Sequence, residues 1–75
     1  MRLRLASRLE SGDFLVLDLP SGRHTCRLHY RGPDEKKLRL VVYLRSGARY
    51  EFQALPDDLI ELSDADRWPS NGGQT

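Results

Sequence analysis

The sequence predicts a small all-β domain: a five-stranded antiparallel meander that forms a small barrel or a strongly bent sheet, followed by a short C-terminal helix. Three observations carry this. Apolar and polar residues alternate over short runs. Clusters of Gly, Pro, Ser and Asp separate those runs at intervals of about 8 to 12 residues. No helical period is found before residue 55.

Each element has its own justification. Over residues 1–9, Met1, Leu3, Leu5 and Leu9 alternate with Arg2, Arg4, Ala6 and Arg8, which predicts a first strand with the leucines facing the core. Ser11-Gly12-Asp13 is a turn cluster, and the apolar run over residues 14–19 is too short for an ordinary helix, so it is the second strand. Pro20-Ser21-Gly22 reverses the chain. The third strand places His24, Cys26, Leu28 and Tyr30 on one face and Arg23, Thr25, Arg27, His29 and Arg31 on the other. Residues 32–37 form a polar break, after which Leu38, Leu40, Val42 and Leu44 alternate with Arg39, Val41, Tyr43 and Arg45 in the most hydrophobic strand. Ser46-Gly47 then predicts a tight hairpin into the fifth strand, residues 48–54. Residues 55–62 admit two readings. Pro56 and the acidic pair Asp57-Asp58 suit the first turn of a helix, with Leu55, Leu59 and Leu62 at helical spacing, and this is the favoured reading. The other makes residues 58–62 a sixth short strand.

Seventy-five residues, 39% hydrophobic and 31% charged, fit one domain over residues 1–69 with a frayed tail at 70–75. A domain this small buries only somewhat more than about 60% of its unfolded surface, which leaves little room for an enclosed catalytic cavity. A non-enzyme is therefore expected. No apolar run approaches the roughly 18 residues of a membrane span. Arg4 interrupts the N-terminal apolar residues before a signal sequence could form, and the single Cys26 excludes an internal disulfide. Together these predict a cytoplasmic protein.

Catalytic and metal-binding chemistry finds no support. His24, Cys26 and His29 are ligand and nucleophile types, but on a strand His29 points away from the other two, so three ligands do not converge. The acidic residues Asp57, Asp58, Glu61, Asp64 and Asp66 lack the glycine and glutamate spacing of a calcium loop, and no glycine-rich phosphate loop is present. No cofactor and no metal are expected.

Charge placement is the remaining signal. The net charge of +1 conceals a net of +5 over residues 1–54 and −4 over residues 55–75. The outward strand positions include Arg2, Arg4, Arg8, Arg23, Arg27, Arg31, Arg39, Arg45 and Arg49, with His29 and Tyr43 between them, and a guanidinium both pairs with phosphate and stacks on bases. The reading that follows is a non-enzymatic regulatory module that contacts single-stranded RNA or DNA through Arg23, Arg27, His29, Arg31, Arg39, Tyr43 and Arg45, with steep salt dependence. The alternative is a protein-interaction module, an inhibitor, adaptor or assembly subunit, using Trp68 with the acidic Asp57, Asp58 and Glu61, or a sheet edge. Edge strands also offer a route to homo-oligomers.

The layout from Phe14 to Leu62 resembles that of Sm-like small barrels: Leu19-Pro20-Ser21-Gly22-Arg23 at a strand end, a long strand through Leu28-His29-Tyr30-Arg31, a central strand at Leu38 to Leu44, then Arg49-Tyr50-Glu51-Phe52 and Asp58-Leu59-Ile60-Glu61-Leu62. The resemblance implies a bent barrel. That family's Asp/Asn-bearing loop and its Arg-Gly or Lys-Gly pair have no counterpart, so none of its binding residues carries over. The run from Leu44 to Pro56 is also similar to part of the KTSC domain, without that domain's downstream Phe-Asn pair.

Overall fold

The computed structural model describes residues 2–64 and residue 68; the tail predicted at 70–75 lies outside the described residues. The chain forms strands β1 (Arg2–Leu5), β2 (Phe14–Leu19), β3 (Gly22–Asp34), β4 (Lys37–Leu44), β5 (Arg49–Ala54) and β6 (Leu59–Leu62), with one 3-10 turn at Ala6–Arg8. They make a single antiparallel sheet in the order β1-β6-β2-β3-β4-β5. The all-β prediction holds, with two corrections. Among the described residues there are six strands, and where the C-terminal helix is predicted the chain forms strand β6.

The helix gives way to pairing: Arg2–Leu5 pair with Leu59–Leu62, and Leu15 with Leu62, so tertiary contacts override a weak helical spacing. The Asp58 carboxylate accepts the Leu55 amide at 2.9 Å while the Asp58 amide donates to the Leu55 carbonyl at 3.0 Å, which closes Leu55 to Asp58 into a turn. The chain leaves that turn extended. Leu62 then reaches the core opposite Leu15, while Leu55 and Leu59 stay exposed.

β2, β3, β4 and β5 form a meander, and β6 returns to lie beside β2, with β1 outside it. Margins β1 and β5 are not paired to each other among the described residues, so the sheet is open. It nevertheless encloses a core. Leu15, Cys26, Leu28, Leu40 and Val42, from three adjacent strands, are at most 1% exposed, and they share one cluster with Ala6, Leu9, Ala54 and Leu62. A flat sheet with no second layer leaves its face wet, so this burial requires the sheet to curl over its own concave side. Ala6 and Leu9 cap one end from the segment after β1.

Three further departures concern which side each residue takes. The first lies in β1. Leu3 and Leu5 stand opposite Glu61 and Leu59 on the convex side and are 49% and 38% exposed, whereas Arg2 and Arg4 share the side of Leu62 and Ile60. The alternation was legible but its sense is inverted. Arg4 is accommodated there because Asp13 Oδ2 accepts from its Nη1 at 3.1 Å. The 3-10 turn after Leu5 then delivers Ala6 and Leu9 to the core.

The second departure is a β-bulge at His29. Cys26, Arg27 and Leu28 pair with Leu44, Tyr43 and Val42, but Tyr30 pairs with Val41, leaving His29 as an extra residue. The extra residue reverses the alternation beyond it. Tyr30 therefore joins the convex side with Val41, and Arg31 goes to the side of Leu40, where its Nε donates to the Leu9 carbonyl at 2.7 Å. The Tyr30 ring lies over buried Gly32: a Cβ at Gly32 would stand 2.0 Å from Tyr30 Oη, closer than atoms can approach. Gly32→Ala is expected to swing that ring into solvent and cost about 1 kcal/mol. A double-mutant cycle with Tyr30→Ala, read by urea unfolding, should show the two losses to be less than additive.

Third, the predicted polar break at residues 32–37 is mostly strand. β3 runs to Asp34 and turns on Glu35 and Lys36 alone, because Asp34 pairs with Lys37. Pro33 is tolerated since the pair flanking a two-residue loop is the hydrogen-bonded one, which puts Pro33 at a non-bonded position. Within β3, β2 pairs only with Gly22–Arg27, so among the described residues no other strand needs the missing Pro33 amide. Glu35 adopts φ 60, the left-handed region a primed turn needs at its first position. Glu35→Gly is accordingly expected to raise stability, by up to about 1 kcal/mol, in the same unfolding assay.

Asp34 supplies a pH signature. Gln53 Nε2 donates to its Oδ2 at 2.6 Å and Arg39 lies 3.4 Å away; the Gln53 bond chiefly holds the carboxyl below its ordinary value, burial opposes it to a smaller extent, and Arg39 adds a lesser lowering. The unfolded chain therefore binds the proton more readily, and this contribution, present above about pH 4, is lost as pH falls through the folded value. Asp34→Asn should flatten the acid limb of a stability profile measured by urea unfolding between about pH 5 and pH 3.

Candidate nucleic-acid interface

The convex side carries the chemistry. Strand register aligns Phe14 of β2, Arg27 of β3, Tyr43 of β4 and Arg49 of β5 as successive cross-strand neighbours. Arg27 thus stands between two aromatic positions, which the linear sequence separates by 13 and 16 residues. The bulge adds His29, whose ring meets Tyr43 edge to face at 5.2 Å and 83°. Trp68 packs edge to face on Phe14 at 5.0 Å and 84°.

The loop before β2 holds the bulge in place. Gly12 N–H donates to the Leu28 carbonyl at 2.7 Å, Leu28 N–H donates to Asp13 O at 2.8 Å, and Ser11 Oγ donates to the His29 carbonyl at 3.1 Å. The loop thereby serves as a short partner strand where β2 has not yet begun. Its conformation needs φ 99 at Gly12, a region that side chains disfavour. Asp13 closes the loop by accepting the Glu10 amide at 2.9 Å.

These elements surround a cleft of about 460 Å³ lined by Ser11, Gly12, Arg27, Leu28, His29, Tyr43 and Trp68, within the size range of ligand sites. The Arg27 side chain has no hydrogen-bond or ion-pair partner among the described residues. On the far side of Trp68 lies a recess of about 340 Å³ lined by Arg23, His24, Thr25, Leu44, Arg45 and Ser46. Trp68 is a wall of both.

Of the residues expected to bind nucleic acid, Arg27, His29 and Tyr43 converge on the cleft, and Arg23 and Arg45 reach the adjoining recess. Arg39 is held at Asp34 and Arg31 at the Leu9 carbonyl, so neither belongs to the group. Carboxylates also engage several other arginines: Arg23 meets Glu61 and Asp18, Arg4 meets Asp13, and Arg49 meets Glu51. The Glu61 contact chiefly raises the Arg23 guanidinium further above its ordinary value. The acidic residues expected to join Trp68 do not gather with it: Glu61 is bound to Arg23, Asp58 to the Leu55 amide, and Asp57 is exposed in the turn. Phe14, Ser11 and Gly12 were not foreseen. Phe14 has a visible signal, as the one aromatic residue of a strand that is otherwise aliphatic except for Asp18.

Among the described residues no group of three His, Cys, Asp or Glu could hold a metal ion. Cys26 is fully buried, and burial raises its thiol above the ordinary value, which disfavours the nucleophilic thiolate. No described helix is long and apolar enough to cross a membrane. Comparisons with protein-family models, with curated proteins and with solved structures found no match.

Proposed function

We propose that the protein is a non-enzymatic binding module that holds a short single-stranded segment of RNA or DNA in the convex cleft. A base stacks among Tyr43, His29 and Trp68, and its phosphate pairs with Arg27. The observation that carries this reading is the unengaged guanidinium of Arg27 inside an aromatic-walled cleft, on a surface where neighbouring arginines are occupied by carboxylates.

Those ion pairs sharpen the expectation. A broad arginine face implies a steep loss of affinity with salt, whereas a footprint of one or two phosphates gives a slope of log K against log salt of only about −0.7 to −1.4 for a single strand. Fluorescence anisotropy with a labelled oligo-uridine or oligo-thymidine of about ten nucleotides, titrated between about 50 and 300 mM salt, reads both affinity and slope. Absence of binding at the lowest salt overturns the proposal.

A second reading rests on a separate observation. Leu3, Leu5 and Leu59 form an exposed apolar group on the convex side of the β1 and β6 pair, the kind of patch that marks a protein-contact surface. Here the module would act by protein contact. Replacing all three leucines with serine would then abolish partner capture while oligonucleotide affinity stays unchanged.

A further inference from the structure

Among the described residues the open sheet has two unpaired edges, β1 and β5, and their side chains differ in what they allow. The Leu44 amide bonds the Ala48 carbonyl at 2.9 Å, so the alternation of an antiparallel ladder aims the backbone groups of Tyr50 and Phe52 at β4 and those of Arg49, Glu51 and Gln53 outward. A second copy adding to this edge about a two-fold axis must match outward residues with outward residues. Centring the axis on Tyr50 sets Arg49 opposite Glu51 of the copy and Glu51 opposite its Arg49. Both cross-strand pairs are then attractive, and the two Tyr50 rings meet at the non-bonded position, where side chains lie closest.

The margin also has something to cover. Between β2 and β5 the sheet leaves a recess of about 270 Å³ lined by Leu17, Leu19, Tyr50 and Phe52, with Asp18 and Glu51 at its rim. Tyr50 is 36% exposed beside it. A copy seated at β5 brings its own Tyr50 to that margin.

The β1 edge refuses the same operation. Ala6 N–H donates to Asp58 O at 2.8 Å, so Leu3 and Leu5 carry the outward backbone groups. Both registers that pair Leu3 with a leucine of the copy set arginine against arginine, Arg4 against Arg4 or Arg2 against Arg4. Charges on the core-facing side of an edge strand are a recognised guard against pairing.

We propose that two copies of this chain associate through antiparallel pairing of their β5 edges, centred on Tyr50 and selected by reciprocal Arg49 and Glu51 contacts. The convex sides then face the same way, so both clefts lie on one continuous surface.

The test is analytical ultracentrifugation of the full chain up to about 1 mM, with circular dichroism confirming the fold of each variant. The wild type is expected to move with concentration towards twice its 8.6 kDa mass. Arg49→Glu and Glu51→Arg each turn attraction into repulsion and should weaken association at least about tenfold. An equimolar mixture of the two variants restores both attractive pairs and should recover the dimer, as should the double reversal in one chain. Lys36→Glu, exposed in the β3–β4 turn and on neither edge strand, should leave association unchanged. A wild type that stays monomeric throughout, variants that dimerise like the wild type, or a mixture that fails to recover association each overturns the proposal. Oligonucleotide binding by the monomeric variants is read separately, so the fate of the cleft and that of the edge are distinguishable.

Discussion

Leu28→Ala is expected to lower the free energy of unfolding by about 3 to 4 kcal/mol, a large part of what a domain of this size possesses. The side chain is 1% exposed and faces Val42 across the ladder, beside Cys26 and Leu40 in the buried cluster. Truncation removes the transfer energy of the deleted atoms and leaves a cavity that a curled sheet cannot readily collapse. Leu28 is also where the loop before β2 is bonded, through its amide and its carbonyl, so packing here and positioning of His29 share one residue. Urea unfolding monitored by circular dichroism measures the loss. The informative comparison is Leu3→Ala, expected to cost no more than about 0.5 kcal/mol because Leu3 is 49% exposed. Equal losses at the two positions would mean that β1 presents its leucines to the core after all.

Tyr43→Ala is expected to weaken binding of a single-stranded oligonucleotide by about 1 to 3 kcal/mol, roughly 5- to 150-fold, the range for losing one base-stacking aromatic. Arg27→Ala should act differently. Removing one phosphate contact weakens binding and makes the salt slope shallower by about 0.7. Arg39→Ala serves as the control, because Arg39 is the same residue type on the same convex side but is held at Asp34, outside the cleft. Anisotropy titrations at several salt concentrations separate the outcomes. If Arg27 and Arg39 contribute alike, attraction is diffuse and the cleft has no special role.

Much of the fold was legible because burial imposes a period of two. The alternation of Leu38, Leu40, Val42 and Leu44 marks β4 with its correct faces, and Ser46-Gly47 marks the hairpin to β5. What escaped is whatever a periodic pattern does not encode. A bulge adds one residue with no compositional mark, so plain alternation puts Tyr30 and Arg31 on each other's sides. In β1 the alternation is intact, but its sense depends on Arg4 finding Asp13, a contact outside the strand. The LIEL segment of β6 has no period that separates strand from helix, and its pairing with β1 and β2 decides the matter. The candidate site was legible as residue types on a convex surface. Its selection was not, because the row of Phe14, Arg27, Tyr43 and Arg49 exists only once three ladders are in register, and because the carboxylates that occupy Arg23, Arg39 and Arg49 are placed by the same register.

Cys26 gives this small sheet an internal clock. It is the chain's one cysteine, it is fully buried, and burial raises its pKa and so favours the unreactive thiol while the fold is closed. An aromatic disulfide reagent can modify it only after β2, β3 and β4 part around it. The labelling rate at low denaturant therefore reports how often the core opens. Extrapolated to water, it tells whether opening at Cys26 is a local excursion or the global unfolding event, with no engineered probe to disturb the packing being timed.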